Sequence, residues 1–406
     1  MKNLSLFLCL LLLPVDFSFA AKVQSWKLPV SETAAQPSLA KTSKGELILS
    51  WIERKQKGHR LQMATYTNNA WSKPQTVAEG DNWFVNWADF PSIAALQNGT
   101  LWAHYLVKRS AGTYAYDVML KQSKDMGKTW SKPIIVHNDG TESEHGFVSL
   151  WPWSSSQLAV AWLDGRHTAG SISHDHSPTA GKDDFSKAMT LRAAVFDANG
   201  KKTNEWQLDQ RTCDCCQTDA AITSKGPIVI YRDRDANEIR DIYTSRYDGK
   251  AWTTGKAVAR DNWLMPACPV NGPAIVANRE SVWAAWYTAA NDKPSIRLAH
   301  SNNSGEKFQQ VRTIASGMHI QGRVDVVGDR DDAWLLWTEE NQTQTLRIQH
   351  FDTQLSALSE PINIAQLQGR GRATGFARMQ KTAKGLFIVW TDVTNGKPFL
   401  RGAQIQ

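Results

Sequence analysis

The sequence predicts an all-β protein, a β-propeller of four-stranded blades, and three observations lead to this prediction. A short apolar strand that ends in an aromatic residue recurs seven times along the chain. No segment keeps a helical apolar period over three turns, so helices should be few. Tryptophan occurs 18 times in 406 residues, and so large a side chain suits a core position that every repeat contains.

The recurring aromatic marks one register position, with spacings between 51 and 69 residues. The residues that occupy it are Trp51, Tyr105, Trp162, Tyr231, Trp286, Trp337 and Trp390. In the first unit, residues 37–40, 46–52, 60–66 and 71–78 have the pattern of four strands separated by polar turns. Repeated four-stranded units are typical of a propeller. Seven units predict seven blades; six blades with flanking strands are the alternative.

The two ends of the chain are expected to meet in one blade. The last unit, from Thr374 onward, contains three strand signals before Gln406. Residues 25–30 resemble the outer strand that begins at Trp71. We therefore predict that the N-terminal segment supplies the missing outer strand, which would leave no open sheet edge.

Residues 1–20 have the pattern of a secretory signal. Lys2 supplies the positive charge, residues 4–13 the apolar run, and residues 18–20 a small-x-small cleavage site. We expect cleavage near Ala20, a single propeller domain over residues 21–406, and a periplasmic or secreted protein. The apolar run is too short to span a bilayer, and no later stretch reaches about 18 apolar residues. No membrane span is therefore predicted.

The formal net charge is +7, and the basic residues are scattered rather than clustered. Scattered Lys and Arg indicate a solvated surface and argue against nucleic-acid binding. A glycan or an acidic small molecule remains compatible with this charge, and we expect a monomer.

Residues 123–130 match the Asp-box pattern S-x-D-x-G-x-T-W in full, and residues 301–308 are a degenerate copy. In this pattern Ser and Asp bond the turn's backbone, Gly takes a positive φ, and Trp packs on the blade. The full copy falls in phase with the repeat, between a third and a fourth strand. The motif is therefore informative about the fold and silent about chemistry.

With this motif in phase, the mature chain resembles the sialidase-like Asp-box (BNR-repeat) propeller superfamily. The resemblance implies that the Asp-box turns lie opposite the ligand site. It implies a ligand face made by the loops that enter first strands and leave second strands, where a glycan is bound or processed around the central channel. An enzyme of this kind would be glycoside hydrolase-like. The Phe/Tyr-Arg-Ile-Pro motif of true sialidases is absent, and its nearest counterpart, residues 89–91, has no Arg; this departure argues against exo-sialidase activity.

Four cysteines fall on the predicted ligand face, in loops that enter neighbouring blades. Three interpretations remain open: a disulfide in an oxidising compartment, a thiolate site for copper or zinc, or a redox or other role. A His-rich insertion at 164–187 and His145 lie on the same face. The candidate metal ligands are Cys213, Cys215, Cys216, Cys268, His145, His167, His174 and His176, and the first four are also the disulfide candidates.

Carboxylates, arginines and tryptophans on the same face are the other candidates. Asp89, Asp164 and Asp219 are candidates for acid and base chemistry. Arg side chains bind carboxylates or sulfates in bidentate fashion, and Trp rings stack on sugars or else wedge between blades. The candidate ligand-binding residues are Trp83, Trp87, Arg166, Arg232, Trp263, Arg323 and Arg378.

Three functional hypotheses follow from these observations. The first is a propeller that binds or processes glycans on its loop face. The second is a periplasmic metal-binding propeller that uses the cysteines, and the third is a non-catalytic scaffold for protein partners, since propellers host many unrelated activities.

Overall fold

The computed structural model describes residues 22–169 and 187–406, over which seven antiparallel sheets follow one another along the chain. Each sheet has four strand positions in sequence order; the first splits its outermost position between two short strands, and the last takes one strand from the N-terminal segment. The sheets are the seven blades of a β-propeller, which confirms the predicted fold and blade number.

The strand bounds are as follows. Blade one contains β2 (Ala34–Lys41), β3 (Leu47–Arg54), β4 (His59–Thr67), β5 (Ala70–Trp71) and β6 (Gln75–Gly80). Blade two contains β7 (Ile93–Ala95), β8 (Leu101–Lys108), β9 (Tyr116–Ser123) and β10 (Ile134–Ile135). Blade three contains β11 (His145–Pro152), β12 (Leu158–Asp164), β13 (Thr190–Phe196) and β14 (Lys202–Asp209). Blade four contains β15 (Asp219–Thr223), β16 (Gly226–Arg232), β17 (Ile242–Arg246) and β18 (Lys256–Ala257).

Blade five contains β19 (Ala274–Asn278), β20 (Ser281–Thr288), β21 (Ser295–Ser301) and β22 (Gln310–Ser316). Blade six contains β23 (Ile320–Gly328), β24 (Asp332–Glu340), β25 (Gln344–Asp352) and β26 (Ile362–Gln366). Blade seven contains β27 (Arg378–Thr382), β28 (Gly385–Thr394), β29 (Lys397–Ile405) and β1 (Val23–Ser25). Two short 3-10 helices occur among the described residues, at Ala290–Asp292 and Gly371–Thr374.

The register aromatics all lie in second strands, where they are buried between neighbouring blades. A buried indole needs an acceptor for its N–H, and in three blades the acceptor is the carboxylate two residues further on. Trp51 Nε1 donates to Glu53 at 3.0 Å, Trp162 to Asp164 at 2.7 Å, and Trp337 to Glu339 at 2.9 Å. The repeated Trp-x-Asp/Glu pattern thus ends the second strand of these blades.

The N-terminal segment closes the ring, as predicted, although the paired residues start earlier than expected. Strand β1 pairs antiparallel with β29, with Val23 opposite Ile405. The next residue, Trp26, donates its N–H to the carbonyl oxygen of Gly402 at 2.8 Å, and its ring packs on Trp71 at 4.8 Å. The segment therefore contributes backbone hydrogen bonds and a packed tryptophan side chain to the junction of the last and first blades.

The Asp-box forms the turn between the third and fourth strands of blade two. Ser123 Oγ accepts the N–H of Gly127 at 2.8 Å and donates to Asp125 Oδ1 at 2.8 Å. Asp125 accepts the N–H of Thr129 at 2.8 Å. The φ of Gly127 is 89°, in the region that favours glycine.

The degenerate copy has the same geometry in blade five. Ser301 Oγ accepts the N–H of Gly305 at 3.1 Å, and Asn303 takes the place of the aspartate by accepting the N–H of Lys307 at 3.1 Å. Both turns lie at the end of the propeller away from the loops that enter first strands. Over the described residues, no helix is long and apolar enough to cross a membrane.

Candidate functional site

A central cavity of about 520 Å³ is lined by the first strands of six blades and, in blade two, by residues 88–90 and 92 just before β7. Three aspartates line this cavity, buried Asp89 and Asp325 and half-buried Asp219, and each accepts a backbone N–H from the first strand of the following blade. These bonds join Asp89 to Phe147 at 2.9 Å, Asp219 to Ile275 at 2.9 Å, and Asp325 to Met379 at 2.7 Å. Two of the three predicted acid–base residues therefore join blades to one another at the channel wall.

Burial changes the protonation of these channel carboxyls. It raises the pKa of Asp219 to about 6, against the opposing effect of the nearby Arg378 guanidinium. Burial likewise raises the pKa of Asp89 to about 7 and raises that of Asp325. Asp325 was not predicted from the sequence. A signal exists, because Asp219 and Asp325 each stand 12 residues before their register aromatic, Tyr231 and Trp337.

Asp89 also belongs to a buried group with Tyr116 and Glu144. The Tyr116 hydroxyl lies 2.7 Å from Glu144 Oε1 and 3.1 Å from Asp89 Oδ2. The phenol has one proton and can donate to only one of them. Burial raises the pKa of Glu144 well above its ordinary value, which favours the protonated carboxyl; a protonated Glu144 can donate to the Tyr116 oxygen while the phenol donates to Asp89. Tyr116 was not predicted as a site residue, because an aromatic residue at the start of a strand looks in the sequence like ordinary core packing.

Three aromatic side chains lie together at the channel mouth. Half-buried Trp87 stacks on Phe376 with 5.8 Å between ring centroids and 15° between planes. Phe90 lies 6.1 Å from Phe376 and lines the channel. Trp87 and Phe90 come from the loop that enters blade two, and Phe376 from the loop that enters blade seven.

Three arginines flank these rings. The Cζ atoms of Arg323 and Arg372 lie 5.2 and 5.8 Å from the Trp87 ring centroid, and that of Arg378 lies 6.0 Å from the Phe90 centroid. Arg372 is exposed and Arg378 is half-buried. We call this group the aromatic–arginine patch: Trp87, Phe90, Phe376, Arg323, Arg372 and Arg378.

Buried Arg323 fixes the loop that carries Arg372. Its guanidinium donates to Thr374 Oγ1 at 2.8 Å, to Gly371 O at 2.8 Å and to Gly375 O at 3.1 Å. It therefore supports the patch from beneath, with two of its nitrogens already used by this loop.

Two of the predicted tryptophans and Arg232 lie inside the protein. Trp83 is buried against Tyr105 at 4.7 Å, and Trp263 is buried against Tyr287 at 5.6 Å. Arg232 is buried beside Trp263, with its Cζ 4.9 Å from the ring. Its guanidinium donates to the carbonyl oxygens of three residues, Asn271 (2.8 and 3.2 Å), Tyr287 (2.7 Å) and Arg240 (2.7 Å).

Asp164 and Arg166 form an ion pair at the end of β12. Arg166 Nε lies 2.7 Å from Asp164 Oδ1, and Arg166 Nη2 lies 3.3 Å from Glu205 Oε1. Burial alone would raise the pKa of Asp164. A hydrogen bond from Arg166 and the electrostatic effect of His145 lower that pKa instead. The carboxylate is thus held ionised, which does not suit a proton donor.

His145 belongs to a second cluster, made of histidines and aspartates. Its ring stacks on that of His137 at 3.5 Å, and Asp139 Oδ2 lies 2.9 Å from His137 Nδ1 and 3.1 Å from His145 Nε2. Burial and the neighbouring His145 lower the pKa of His137 to about 4. His167 is exposed, and His174 and His176 lie outside the described residues.

The four cysteines come together where the loops entering blades four and five meet. All four are free thiols, so the structure contains no disulfide between them. Cys213 Sγ lies 3.3 Å from Cys216 Sγ and 3.8 Å from Cys215 Sγ. Cys268 Sγ lies 3.6 Å from Asp214 Oδ1. We call these four residues the thiol cluster.

A buried arginine stands beside the thiol cluster. Arg240 Nη1 lies 3.2 Å from Cys213 Sγ, and Arg240 Nη2 donates to Glu238 at 2.9 Å. Burial raises the pKa of the Cys215 thiol well above its ordinary value. Burial would do the same to Cys216, but hydrogen bonds from Cys213 and Cys215 together with Arg232 lower its pKa instead. One thiolate is therefore favoured within the cluster.

Comparison with known proteins identifies the class. Residues 45–340 match the BNR repeat-like domain, and the chain belongs to that family. A search of curated protein sequences finds no significant match.

Several solved structures share the fold. One is a protein of unknown function from Dyadobacter fermentans, at 12% identity and a TM-score of 0.53, with 95% of this chain and 99% of that chain covered. A polysaccharide lyase is similar at 8% identity and a TM-score of 0.52, with 91% and 89% covered. The Trypanosoma rangeli sialidase in complex with sialic acid is similar at 12% identity and a TM-score of 0.49, with 90% and 59% covered. At these identities the likeness is one of fold.

Proposed function

We propose that the protein binds an acidic glycan at the mouth of its central channel. The observation that carries this proposal is the aromatic–arginine patch, in which a half-buried Trp87 ring is flanked by guanidinium groups. Residues 1–20 lie outside the described residues and keep their interpretation as an export signal, which would bring the mouth into contact with extracellular glycans.

The patch offers the two kinds of contact that acidic sugars need. The apolar face of a sugar ring stacks on an indole, and a uronic carboxylate or a sulfate accepts bidentate hydrogen bonds from arginine. Arg372 and Arg378 are the donors we propose, because Arg323 already bonds the loop beneath. The cavity of about 520 Å³ is within the size range of small-ligand sites.

Two further facts support a glycan ligand. The formal net charge of +7 favours encounter with polyanions. The similar structures include a protein described as a polysaccharide lyase, which matches over 91% of this chain. The similarity supports a saccharide ligand, and the positive charge favours an anionic saccharide over a neutral one.

If the bound glycan is cleaved, the carboxyl groups that line the channel are the groups we propose for proton transfer. Asp89 and Asp219 have pKa values of about 7 and 6, close to the value that general acid–base catalysis favours. We propose them, rather than the ion-paired Asp164, as proton-transfer groups. Asp219→Asn is expected to stop any cleavage of the glycan without weakening its binding.

The test is calorimetric titration of the full chain with uronic-acid and sulfated oligosaccharides, and with neutral oligosaccharides of equal length. We expect acidic ligands to bind and neutral ones not to. Trp87→Ala and Arg372→Gln should each raise Kd about tenfold, since one stacking or charged contact contributes about 1–2 kcal/mol. Added salt should weaken binding.

Matched controls lie at the opposite end of the propeller. Trp153→Ala removes a half-buried tryptophan from an aromatic cluster there, and Arg246→Gln removes an arginine near the turn that follows β17. Both variants should leave Kd unchanged. No binding of any acidic oligosaccharide at millimolar concentration, or equal losses in the control variants, would contradict the proposal.

A further inference from the structure

The thiol cluster has the spacing of a metal site. The sulfur atoms of Cys213, Cys215 and Cys216 all lie within 4.8 Å of one another, with two separations of 3.3 and 3.8 Å. With metal–sulfur bonds of about 2.3 Å, the ligands of a tetrahedral or trigonal ion lie roughly 3.8–4.0 Å apart. A disulfide would need about 2.05 Å. The observed separations are therefore closer to those of sulfurs around a shared ion.

Cys268 adds a fourth sulfur from the neighbouring blade. The ligand atoms of Asp214, Cys215 and Cys268 also lie within 4.8 Å of one another. Cys215 is common to both groups, so an ion bound beside it can draw on either loop. The cluster thus joins the loops that enter blades four and five.

Buried cations offset the charge that metal binding would create. Bound cysteine is a thiolate, and several thiolates in one buried site need compensating positive charge. Arg240 is fully buried with Nη1 3.2 Å from Cys213 Sγ, and buried Arg232 acts electrostatically on Cys216. Glu238 orients Arg240 from the other side. Such supporting contacts are what tune and hold metal ligands.

An entry path exists on the solvent side. Cys213 and Cys216 are buried, whereas Cys215 and Cys268 are partly exposed. An ion can therefore reach Cys215 first and then engage the two deeper sulfurs.

We infer that the thiol cluster binds one thiophilic d10 metal ion, Cu(I) or Zn(II), through Cys213, Cys215 and Cys216, with Cys268 as the fourth ligand when the ion is tetrahedral. Each coordinating thiol loses its proton to solvent as the metal–sulfur bond forms. Soft thiolate ligands select these two ions. Three sulfurs suffice for Cu(I), whereas Zn(II) is almost always four-coordinate in structural sites.

The experiment is titration of the full, reduced chain under anaerobic conditions with Zn(II) alone and with Cu(I) alone, each against a competing chelator. Native mass spectrometry should show one ion per chain. The triple variant with Cys213→Ser, Cys215→Ser and Cys216→Ser should lose affinity for either metal ion by at least about 100-fold, because the three proposed ligands common to both ions are removed. The control Met119→Leu, which removes a sulfur outside the cluster, should bind as the parent does.

Cys268→Ser separates the two ions. It should weaken Zn(II) binding about tenfold or more and leave Cu(I) binding within about threefold. A loss for neither ion overturns the assignment of Cys268, and a loss for both identifies a four-sulfur site for either ion.

A second readout does not depend on folding of the triple variant. Metal added before alkylation should protect Cys213, Cys215 and Cys216 of the parent chain from iodoacetamide, as read by peptide mass spectrometry. The proposal is overturned if the reduced parent binds neither ion, if these thiols alkylate equally with and without metal, or if the folded triple variant retains parental affinity.

Discussion

The two ends of this propeller are held together in different ways. At the Asp-box end, the side chains that define a turn bond within that turn, as Ser123, Asp125 and Gly127 bond one another within five residues of chain. At the channel-mouth end, side chains reach from one blade to the next, as Asp219 does to the N–H of Ile275. The bonds within the turn repeat in the same form in blades two and five, whereas contacts between blades differ from junction to junction and so leave room for a site.

The largest expected effect is at a junction on the mouth side. Arg232→Ala should lower the free energy of unfolding by about 3–5 kcal/mol, because it removes a fully buried guanidinium that donates to the carbonyl oxygens of Asn271, Tyr287 and Arg240. Urea unfolding followed by tryptophan fluorescence, in reductant and chelator, measures the change.

The control is Arg401→Ala, whose side chain is half-exposed and 3.7 Å from Asp392. It should cost no more than about 0.5 kcal/mol. A loss below about 1 kcal/mol for Arg232→Ala would show that the mouth loops do not depend on this arginine.

The second prediction compares the pH dependence of the two ends. The pKa of Asp219 is raised from 3.8 to about 6, so the native state keeps a proton that the unfolded state has lost. This contribution is full below pH 4 and is lost as pH rises through 6. Asp219→Asn cannot ionise, so its stability relative to the parent should rise by up to about 3 kcal/mol between pH 4 and pH 8.

Asp125→Asn should show the opposite sign. Hydrogen bonds from Thr129 lower the pKa of Asp125 to about 2, so its contribution is present above pH 4 and is lost as pH falls through 2. The variant should therefore be less stable than the parent at neutral pH and approach it in acid. Urea unfolding across pH measures both, and parallel curves for the two variants would remove the distinction between the ends.

The smallest effects belong to the local turns. Ser123→Ala and Ser301→Ala should each cost about 1 kcal/mol, since each removes the acceptor of a turn N–H, buried at Gly127 and part-buried at Gly305. The double variant should be additive within about 0.5 kcal/mol, because the turns share no partner. Thermal unfolding with the exposed Ser155→Ala as control checks this, and strong coupling between the turns would contradict their independence.

The fold could be predicted because the same sequence pattern occurs in every blade. Seven register aromatics and two Asp-box copies each report the same local structure, and the structure has all of them where expected. The repeated sequence Asp-Asn-Trp also reflects the repeat: Trp83 and Trp263 are both buried against tyrosines within second strands, Tyr105 and Tyr287. A repeated phrase therefore marked blade packing rather than a ligand platform.

The site was predictable only where a rare residue type stood out. The cysteines were found because four of them fall in loops of adjacent blades. Phe376, Arg372 and Tyr116 were not, because each gains its meaning from partners in another blade. Contacts between residues far apart in sequence, such as Trp87 with Phe376, leave no periodic trace in a single chain.

The pairing of β1 with β29 also sets the order in which the molecule can be completed. Gln24 lies opposite Gln404, 380 positions away. Because synthesis proceeds from the N-terminus, β1 is made long before its partner β29. Until β29 is made, the sides of the first and last blades that face each other in the closed ring have no partner. Unpaired strand edges favour association with other chains. Pairing of the three-residue strand Val23–Ser25 with β29 closes the ring and so ends the stage at which its open edges can aggregate.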